Sequence, residues 1–568
     1  MKEERGSSQI LFGFLPNQTV DLKGGVWCVS EWVDPVPLSM DQETVRQSLL
    51  QALRPWIQTG QDDGLGEELR KRIKVDVVGV NTKRGILVEQ FPKQWRCRRC
   101  GRISDSADTR CRCGHDRKAQ MHFVAYHSCG AMREPYMPKC NQHHAIAVEL
   151  PGTATAREIR FFCPDCNRTL SKGYPIQRCS CRNGSMSITV HRAGVVFTPR
   201  MTVVVNPPDP GEAAKLRASG GPAKALDWVL NGMDTNDPIT GPQTYSGFVD
   251  MLRFTGISEE TARLSADLAL AKGDIRADSS ASRGEIPESV RLDAQDEAFG
   301  LALAATEGRT TINDLLADPD NKAKILFETA YREKISEAGL EGIDLLSSFP
   351  VATLAFGYTR ADFEPGASRL VPFRSGGDLR VYGQLYRTEA LLFRLDPLKV
   401  YRWLLANEYL DGGVPDSARS ARIGVLEKVE IPYPTQEDPQ ELGRAVVTLL
   451  HSYAHRAIRH IAAHAGIERD SLAEYLAPHH MSFIIYAASR GDFVLGGLQA
   501  VFETSLHTFL NDLINAEHRC PLDPGCRSGG GACMACLHIG EPSCRWFNRF
   551  LNRDVLFGEN GFLRLGRD

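Results

Sequence analysis

The sequence at residues 97–113 reads CRRCGRISDSADTRCRC, and residues 163–181 read CPDCNRTLSKGYPIQRCSC. Each stretch has one CxxC pair and one CxC pair, ten residues apart in the first and twelve in the second. Two thiolate pairs at such a separation can converge on one tetrahedral zinc ion. We therefore expect two four-cysteine sites, one formed by Cys97, Cys100, Cys111 and Cys113 and the other by Cys163, Cys166, Cys179 and Cys181.

Strand-like runs follow each stretch, at residues 121–126 and 187–190. A pair of thiols, a loop, a second pair and a strand is the layout of a zinc ribbon. A domain of this size has too little apolar surface to fold alone, so bound metal supplies the missing stability. Residues 91–205 are therefore predicted to be a tandem zinc-ribbon region.

Further cysteines and histidines lie between and beyond these stretches. His127, Cys129, Cys140 and either His143 or His144 could form a third site, or they could be buried thiols and surface histidines. Near the C-terminus, five cysteines are candidates for one metal site that needs four ligands. The sequence favours Cys526, Cys533, Cys536 and Cys544, with Cys520 as the alternative. We expect three to four zinc ions in total.

Charge is unevenly distributed along the chain. Residues 93–192 contain 18 Lys and Arg against 7 Asp and Glu, whereas residues 209–350 contain 14 against 25. Guanidinium and ammonium groups bind phosphates, so the basic region is predicted to contact nucleic acid, while the acidic region is a protein-contact face or simply a solvated one. The basic side chains proposed to contact DNA are Arg98, Arg99, Arg102, Arg112, Lys118, Arg168, Lys172, Arg178 and Arg182.

Length and composition predict a multidomain α+β protein. The 568 residues exceed one usual core, and 42% of them are hydrophobic. We expect an N-terminal α/β segment at 1–90, the ribbons at 91–205, an acidic helical region at 206–345 and a C-terminal α/β zinc-binding domain at 346–568. Within these segments the sequence predicts helices at 42–57, at 321–338, from Pro397 towards Asn407, at about 438–465 and near residues 546–551. No run approaches the roughly 18 apolar residues of a membrane helix, and clustered cysteines favour metal over disulfides in a reducing compartment. A cytoplasmic location without membrane contact is therefore expected.

Catalytic motifs are missing from the sequence. No GxxxxGK[ST] phosphate loop and no GxSxG motif occurs, so no ATPase or serine hydrolase is indicated. His451 and His455 lie one helical turn apart, but Ser452 stands where a zinc hydrolase would carry its glutamate, and polar packing is the preferred interpretation. A metal-dependent nuclease using acidic residues such as Asp416 and Glu427 remains the alternative function.

The C-terminal third resembles a known domain. The runs HSYAH at 451–455, FIIY at 483–486, GGL at 496–498 and CMACL at 533–537 are similar to the zinc-binding domain that ends MrfA-type helicases. Together with the cysteine-rich insertion and the tail CRWFNR at 544–549, they make the chain resemble the DrmB subunits of the bacterial DISARM anti-phage system.

This resemblance implies a function and a partner. It implies a zinc-binding subunit that works beside a DrmA-type helicase, which would supply the ATPase, in a complex that restricts phage DNA. It also implies zinc ligation by Cys526, Cys533, Cys536 and Cys544. A scaffold that never meets DNA is a further alternative.

Overall fold

The structure is a computed structural model of the chain. It describes residues 5–151, 156–234, 245–254, 256–275, 277, 286–306, 308–317, 327–432, 436, 439–488, 496–540, 543–544 and 546–566. The described residues form a mixed α+β protein with two compact units. Unit 1 comprises Met1–Pro207 and Ala352–Leu385, and unit 2 comprises Pro208–Val351 and Tyr386–Asp568. Within the described part of the chain, no helix combines the length and apolar character needed to cross a membrane.

Unit 1 begins with an α/β core. Its main helix runs from Gln42 to Thr59, because Asp41 caps the Thr44 N–H at 2.8 Å and Gly60 ends it in the left-handed conformation. The helix buries Val45, Leu49 and Leu53 against strand residues. The other helices and the strands of this core are Ser7–Gly13, Leu65–Arg70, Thr19–Leu22, Gly25–Trp32, Val36–Pro37, Val75–Gly79, Ile86–Gln90, Thr198–Val205, Val371–Pro372 and Arg374–Ser375.

Three small antiparallel sheets of three strands each make up the rest of unit 1. Their aromatic residues are mostly core, since Phe161 and Trp95 are buried and the Phe161 ring lies 4.9 Å from that of Tyr174. Burial also raises the pKa of Tyr174. In spatial order the strands are Ile103–Ser104, Trp95–Cys97 and Lys118–Gln120; Met132–Arg133, Phe123–Tyr126 and Ser187–Val190; and Ala147–Glu149, Arg160–Phe162 and Thr169–Lys172.

Unit 2 is built around the long helix Glu441–Ala465, which packs on strands Leu472–Ala477 and Ser482–Ala487. Its core is apolar and includes Phe393 stacked on Phe483 at 4.8 Å. The remaining helices are Pro210–Ala218, Gly221–Leu230, Tyr245–Phe254, Glu259–Lys272, Glu288–Thr306, Ile312–Ala317, Arg332–Glu337, Pro397–Ala406, Ala418–Leu426, Gly497–Ala500, Leu506–Asn515, Gly525–Ser528 and Asp554–Phe557, with π-helical turns at Phe327–Tyr331 and Val501–Ser505 and the short strand Arg309–Thr310.

Two long strands, Leu340–Thr359 and Asp378–Leu395, each contribute residues to both units. Residues 340–345, expected to close the helical region, are therefore β-strand. The two units also differ from the predicted four segments. Residues 352–385 group with the N-terminal unit, whereas the helical region and the remaining C-terminal residues form one unit. Part of the helix predicted at 321–338 lies outside the described residues at 321–326.

The final helix predicted near residues 546–551 is wrong. The described backbone there is irregular, and Phe547, Asn548 and Phe550 all have φ between 53° and 55°. A helix begins only at Asp554. Non-glycine residues rarely adopt this left-handed conformation, and bulky ones least of all, so tertiary contacts determine the path of this segment.

We expect replacement of Leu510 by alanine to destabilise unit 2 by about 2–5 kcal/mol, because Leu510 is completely buried in the core and its loss leaves a cavity. The matched change Leu264→Ala lies at a helical position that is 60% exposed and should alter stability by less than about 0.5 kcal/mol. Urea unfolding followed by circular dichroism measures both. Equal destabilisation by the two variants would contradict the packing described here.

Candidate metal centres

Among the residues that the structure describes, five groups of side chains each bring four donor atoms within 4.8 Å of one another. Two of the groups consist of four cysteines, two combine three cysteines with one histidine, and one contains a carboxylate. The groups are Cys97, Cys100, Cys111 and Cys113; His127, Cys129, Cys179 and Cys181; Cys140, His143, Cys163 and Cys166; Cys520, Cys526, Cys533 and Cys536; and His451, His455, Glu474 and Cys544. Several sites in this protein can therefore hold a metal ion.

The first group unites the four cysteines of the first motif, as the sequence spacing predicts. The sulfur atoms of Cys97 and Cys113 lie 3.6 Å apart, and those of Cys100 and Cys111 lie 3.5 Å apart. A disulfide requires about 2.05 Å, whereas the edge of a tetrahedron with metal–sulfur bonds of 2.3 Å is about 3.8 Å. All sixteen cysteines are free thiols in the structure. The geometry fits a bound ion and not a disulfide.

The cysteines of the second motif do not share one site. Cys163 and Cys166 lie with Cys140 and His143, and Cys179 and Cys181 lie with His127 and Cys129. The two groups are nested along the chain, because the inner one uses residues 140–166 and the outer one uses residues 127–181. The expected second and third sites are thus replaced by two mixed Cys3His groups. His144 is exposed and belongs to neither group.

Strand pairing explains the nesting. Strand Ser187–Val190, which follows Cys181, pairs with strand Phe123–Tyr126, which precedes His127. This pairing brings the two ends of the region together and so joins Cys179 to Cys129, whose sulfur atoms are 3.5 Å apart. Strands Ala147–Glu149 and Arg160–Phe162 form the inner pair, and His143 Nδ1 lies 3.6 Å from the sulfur atoms of both Cys140 and Cys163.

Backbone N–H groups favour the ionised form of two of these thiols, Cys97 and Cys140. Burial opposes ionisation of Cys97, but the N–H groups of Cys100 and Arg99 donate to its sulfur and lower its pKa to about 6. The N–H groups of His143 and Gln142 likewise lower the pKa of Cys140 to about 6. Thiolate is the form that ligates metal, so these turns favour the binding state near neutral pH.

The second cysteine-only group lies in unit 2 and includes Cys520. The sulfur atoms of Cys520 and Cys533 are 3.5 Å apart, and those of Cys526 and Cys536 are 3.6 Å apart. Despite the opposing effect of burial, the Ala535 N–H lowers the pKa of Cys533 to about 7. Gly531 has φ 75°, and a side chain there would meet Asn552 at 2.4 Å, so this turn requires glycine. Cys544, the expected fourth ligand, lies in a different group.

The sequence does not predict the fifth group, which consists of His451, His455, Glu474 and Cys544. Helical spacing placed the two histidines on one face, but nothing local indicated Glu474, which is 19 residues further along the chain. Asp416 and Glu427, considered above for a nuclease, belong to none of the five groups. Cys28 also belongs to none of them, and burial raises the pKa of its thiol to about 11.

The basic side chains predicted to contact DNA fall into two sets. Arg102 forms an ion pair with Asp165, and Lys118 Nζ donates to Ser104 Oγ, Ser106 O and Thr109 Oγ1 at 2.7–2.8 Å, so these two cations serve the fold. The others are exposed on the ribbon region, and none forms a salt bridge within the described chain. They are Arg98, Arg99, Arg112, Arg168, Lys172, Arg178 and Arg182.

These features define a mixed α+β protein with several candidate metal centres. Among known proteins, a family model described as "Domain of unknown function (DUF8724)" matches residues 6–197, which run from the first helix past the nested groups. The chain is also similar to the DISARM protein DrmB of Bacillus paralicheniformis, with 28% identity over 124 residues. That match covers 20% of this chain and 22% of the relative's length.

We predict that His143→Ala lowers the metal content of the folded protein by one ion, because the inner nested group loses a ligand. The neighbouring substitution His144→Ala should leave the metal content unchanged. Plasma mass spectrometry after removal of loosely bound metal measures both. If Cys163, Cys166, Cys179 and Cys181 shared a site instead, His143 would be dispensable and the two variants would retain equal metal.

Proposed function

We propose that this chain is a non-enzymatic, zinc-stabilised subunit of a DISARM-like defence system that acts beside a DrmA-type helicase and contacts DNA. The observation that carries the proposal is the coincidence of two findings. The chain is similar to a DISARM protein, and its ribbon region combines three candidate metal groups with exposed cations.

The composition of the ribbon groups supports a structural role for zinc. Each of the three groups offers four protein ligands and includes at least three cysteines. Catalytic zinc sites keep a position for water or substrate, whereas structural sites fill all four positions with protein atoms. Zinc bound in these groups would fix the loops that carry the arginines, and the chemistry of the system would come from elsewhere.

The seven exposed cations support contact with a polyanion. Arg98, Arg99 and Arg112 lie in or beside the first metal group, and Arg178 and Arg182 flank the CxC pair of the outer nested group. Arg98 also lines a depression of 460 Å³ together with Trp95, Ala107, Asp116, Arg117 and Lys118. Arginine contacts to phosphate give affinity with little sequence preference. Contact along the DNA backbone is therefore the expected mode of binding.

The helicase partner rests on the similarity and on the sequence. The chain has no phosphate-binding loop that would make it an ATP-driven motor. A subunit of this kind would bring a DNA-contacting surface to a helicase that hydrolyses ATP. ATP hydrolysis, or metal-dependent DNA cleavage, by the purified chain alone would contradict this division of labour.

Reversing the charge at Arg98, Arg99 and Arg178 should weaken DNA binding by about tenfold or more. It should also reduce the steepness of the salt dependence, because binding that makes fewer phosphate contacts releases fewer counterions. Fluorescence anisotropy with labelled single-stranded and duplex DNA over a range of salt concentrations measures both quantities.

The matched control is Arg402→Glu, which reverses an exposed charge on helix Pro397–Ala406 outside the ribbon region. It should leave affinity and salt slope close to those of the unmodified chain. Unchanged binding by the triple variant would exclude the ribbon cations as the DNA contact, and the scaffold alternative would then be preferred.

A further inference from the structure

The fifth group lies deep inside unit 2 and differs in chemistry from the others. His451 and His455 project from successive turns of the long helix, and Glu474 comes from strand Leu472–Ala477. Cys544 lies in the irregular stretch before helix Asp554–Phe557, which is called the C-terminal segment. The side chains of His451, His455 and Glu474 are 0% exposed, and Cys544 is 3% exposed. Polar side chains buried so completely require partners, because water cannot solvate them.

The donor atoms are arranged around a common point. His451 Nε2 lies 3.0 Å from Glu474 Oε1 and 3.3 Å from Cys544 Sγ, and His455 Nε2 lies 3.4 Å from the same carboxylate oxygen. The edges of a tetrahedron around a zinc ion with nitrogen and oxygen ligands at 2.0–2.1 Å are about 3.3–3.4 Å long. The two nitrogen–oxygen distances lie within about 0.4 Å of these edges, so one ion fits between the donor atoms.

The other nitrogen of each histidine is already occupied. His451 Nδ1 lies 2.7 Å from the Arg549 carbonyl, and His455 Nδ1 lies 2.8 Å from the Leu537 carbonyl. A carbonyl oxygen only accepts hydrogen bonds, so each Nδ1 carries the proton and donates it. In the neutral imidazole, each Nε2 lone pair then points to the common centre. A metal-ligating histidine is commonly oriented in this way by a carbonyl that accepts from its second nitrogen.

The lone pairs of His451 Nε2 and His455 Nε2 are thus directed at a Glu474 carboxylate oxygen, which is itself a hydrogen-bond acceptor. Glu474 Oε1, Glu474 Oε2 and His455 Nε2 have no hydrogen-bond partner among the described residues. Lone pairs of nitrogen directed at a carboxylate oxygen repel one another, and a buried carboxylate without a partner is costly. A divalent cation between them removes the repulsion. It also balances the two negative charges of a carboxylate and a thiolate.

The C-terminal segment is shaped around this centre. The Asn548 N–H lies 3.3 Å from Cys544 Sγ, and Arg549 supplies the carbonyl that orients His451. These contacts occur where Phe547, Asn548 and Phe550 adopt the left-handed conformation. Strained backbone of this kind persists only where the surroundings enforce it, and it concentrates at functional sites.

We propose that His451 Nε2, His455 Nε2, a Glu474 carboxylate oxygen and Cys544 Sγ bind one divalent ion of the zinc class, as a closed structural centre separate from the neighbouring four-cysteine group. Mixed imidazole, carboxylate and thiolate donors suit zinc. Four buried protein ligands leave no position for water, and Ser452 replaces the glutamate that a hydrolytic HExxH site would carry. The centre goes beyond the proposed function and does not depend on it.

Such an ion would tie three elements together at one point. It would join the long helix, strand Leu472–Ala477 and the C-terminal segment. It would also position the four-cysteine group, because the Leu537 carbonyl that orients His455 directly follows Cys536. Arg459, one turn further along the helix, donates to the Ala535 carbonyl at 2.9 Å within the same CxxC turn. Both centres therefore depend on the long helix.

The test is the metal content of the full-length protein after passage over a chelating resin, with zinc as the probe. Glu474→Gln keeps the shape of the side chain but removes the anionic ligand, and it should lower the zinc content by one ion per chain. Glu297→Gln is the matched control, because Glu297 pairs with His479 at 2.7 Å in the same unit and belongs to none of the five groups found among the described residues, and it should leave the zinc content unchanged. Equal loss or equal retention in both variants would overturn the proposal.

Two further measurements remain decisive if Glu474→Gln fails to fold. Cys544→His keeps a zinc ligand and should retain the ion that Cys544→Ser loses. If zinc occupies all five groups of the unmodified protein, fifteen of the twenty ligand atoms are sulfur. If zinc occupies only the four cysteine-rich groups, fourteen of the sixteen ligand atoms are sulfur. Native mass spectrometry showing five zinc ions, with an X-ray absorption average near three sulfurs per zinc, supports the centre. Four zinc ions with an average near 3.5 sulfurs would overturn it.

Discussion

Convergence of four donor atoms on one point is the constraint on which the cysteine-rich parts of this protein depend. The ribbon sheets have only two to four residues per strand, and the main core between them consists of six buried residues. So little apolar surface cannot offset the conformational entropy of ordering about a hundred residues. Zinc bound to the grouped cysteines would supply that free energy, because binding free energy at such sites is also folding free energy.

The two units use their candidate metal groups differently. In the ribbon region of unit 1, where the hydrophobic core is small, bound metal would fix the loops that carry exposed arginines. In unit 2 an extensive apolar core already exists, and metal bound in the two groups beside the long helix would organise an irregular C-terminal segment. The first arrangement would make a rigid cationic surface, and the second would fix the end of the chain onto a stable helix.

Local patterns were sufficient to predict some of the structure. Helix Gln42–Thr59, helix Pro397–Ala406 and the long helix were all indicated by apolar periodicity or by proline at the first turn, and the first four-cysteine group follows directly from its spacing. In these cases the determining contacts lie within one or two turns. The exposure of most basic side chains in the ribbon region also follows from composition. Arg102 and Lys118 are the exceptions, because they pair with Asp165 and Ser104 within the fold.

The grouping of distant ligands could not be predicted in the same way. Cys163 and Cys179 belong to one repeated motif, yet pairing of the strands at 123–126 and 187–190 separates them into different groups. The same limitation applies to Cys544, which pairs with His451 across 93 residues instead of joining Cys533 nearby. Spacing identifies residues able to bind metal, whereas tertiary strand and helix packing decides which of them meet.

Hydrogen exchange of the zinc-loaded and chelator-treated full chain, followed by mass spectrometry, tests the central claim most directly. If bound metal provides the stability of the small sheets, chelation will abolish amide protection across residues 95–190, while strand Ser482–Ala487 and the middle of the long helix stay protected by their apolar core. Full protection of residues 95–190 in protein shown to contain no metal would contradict the account.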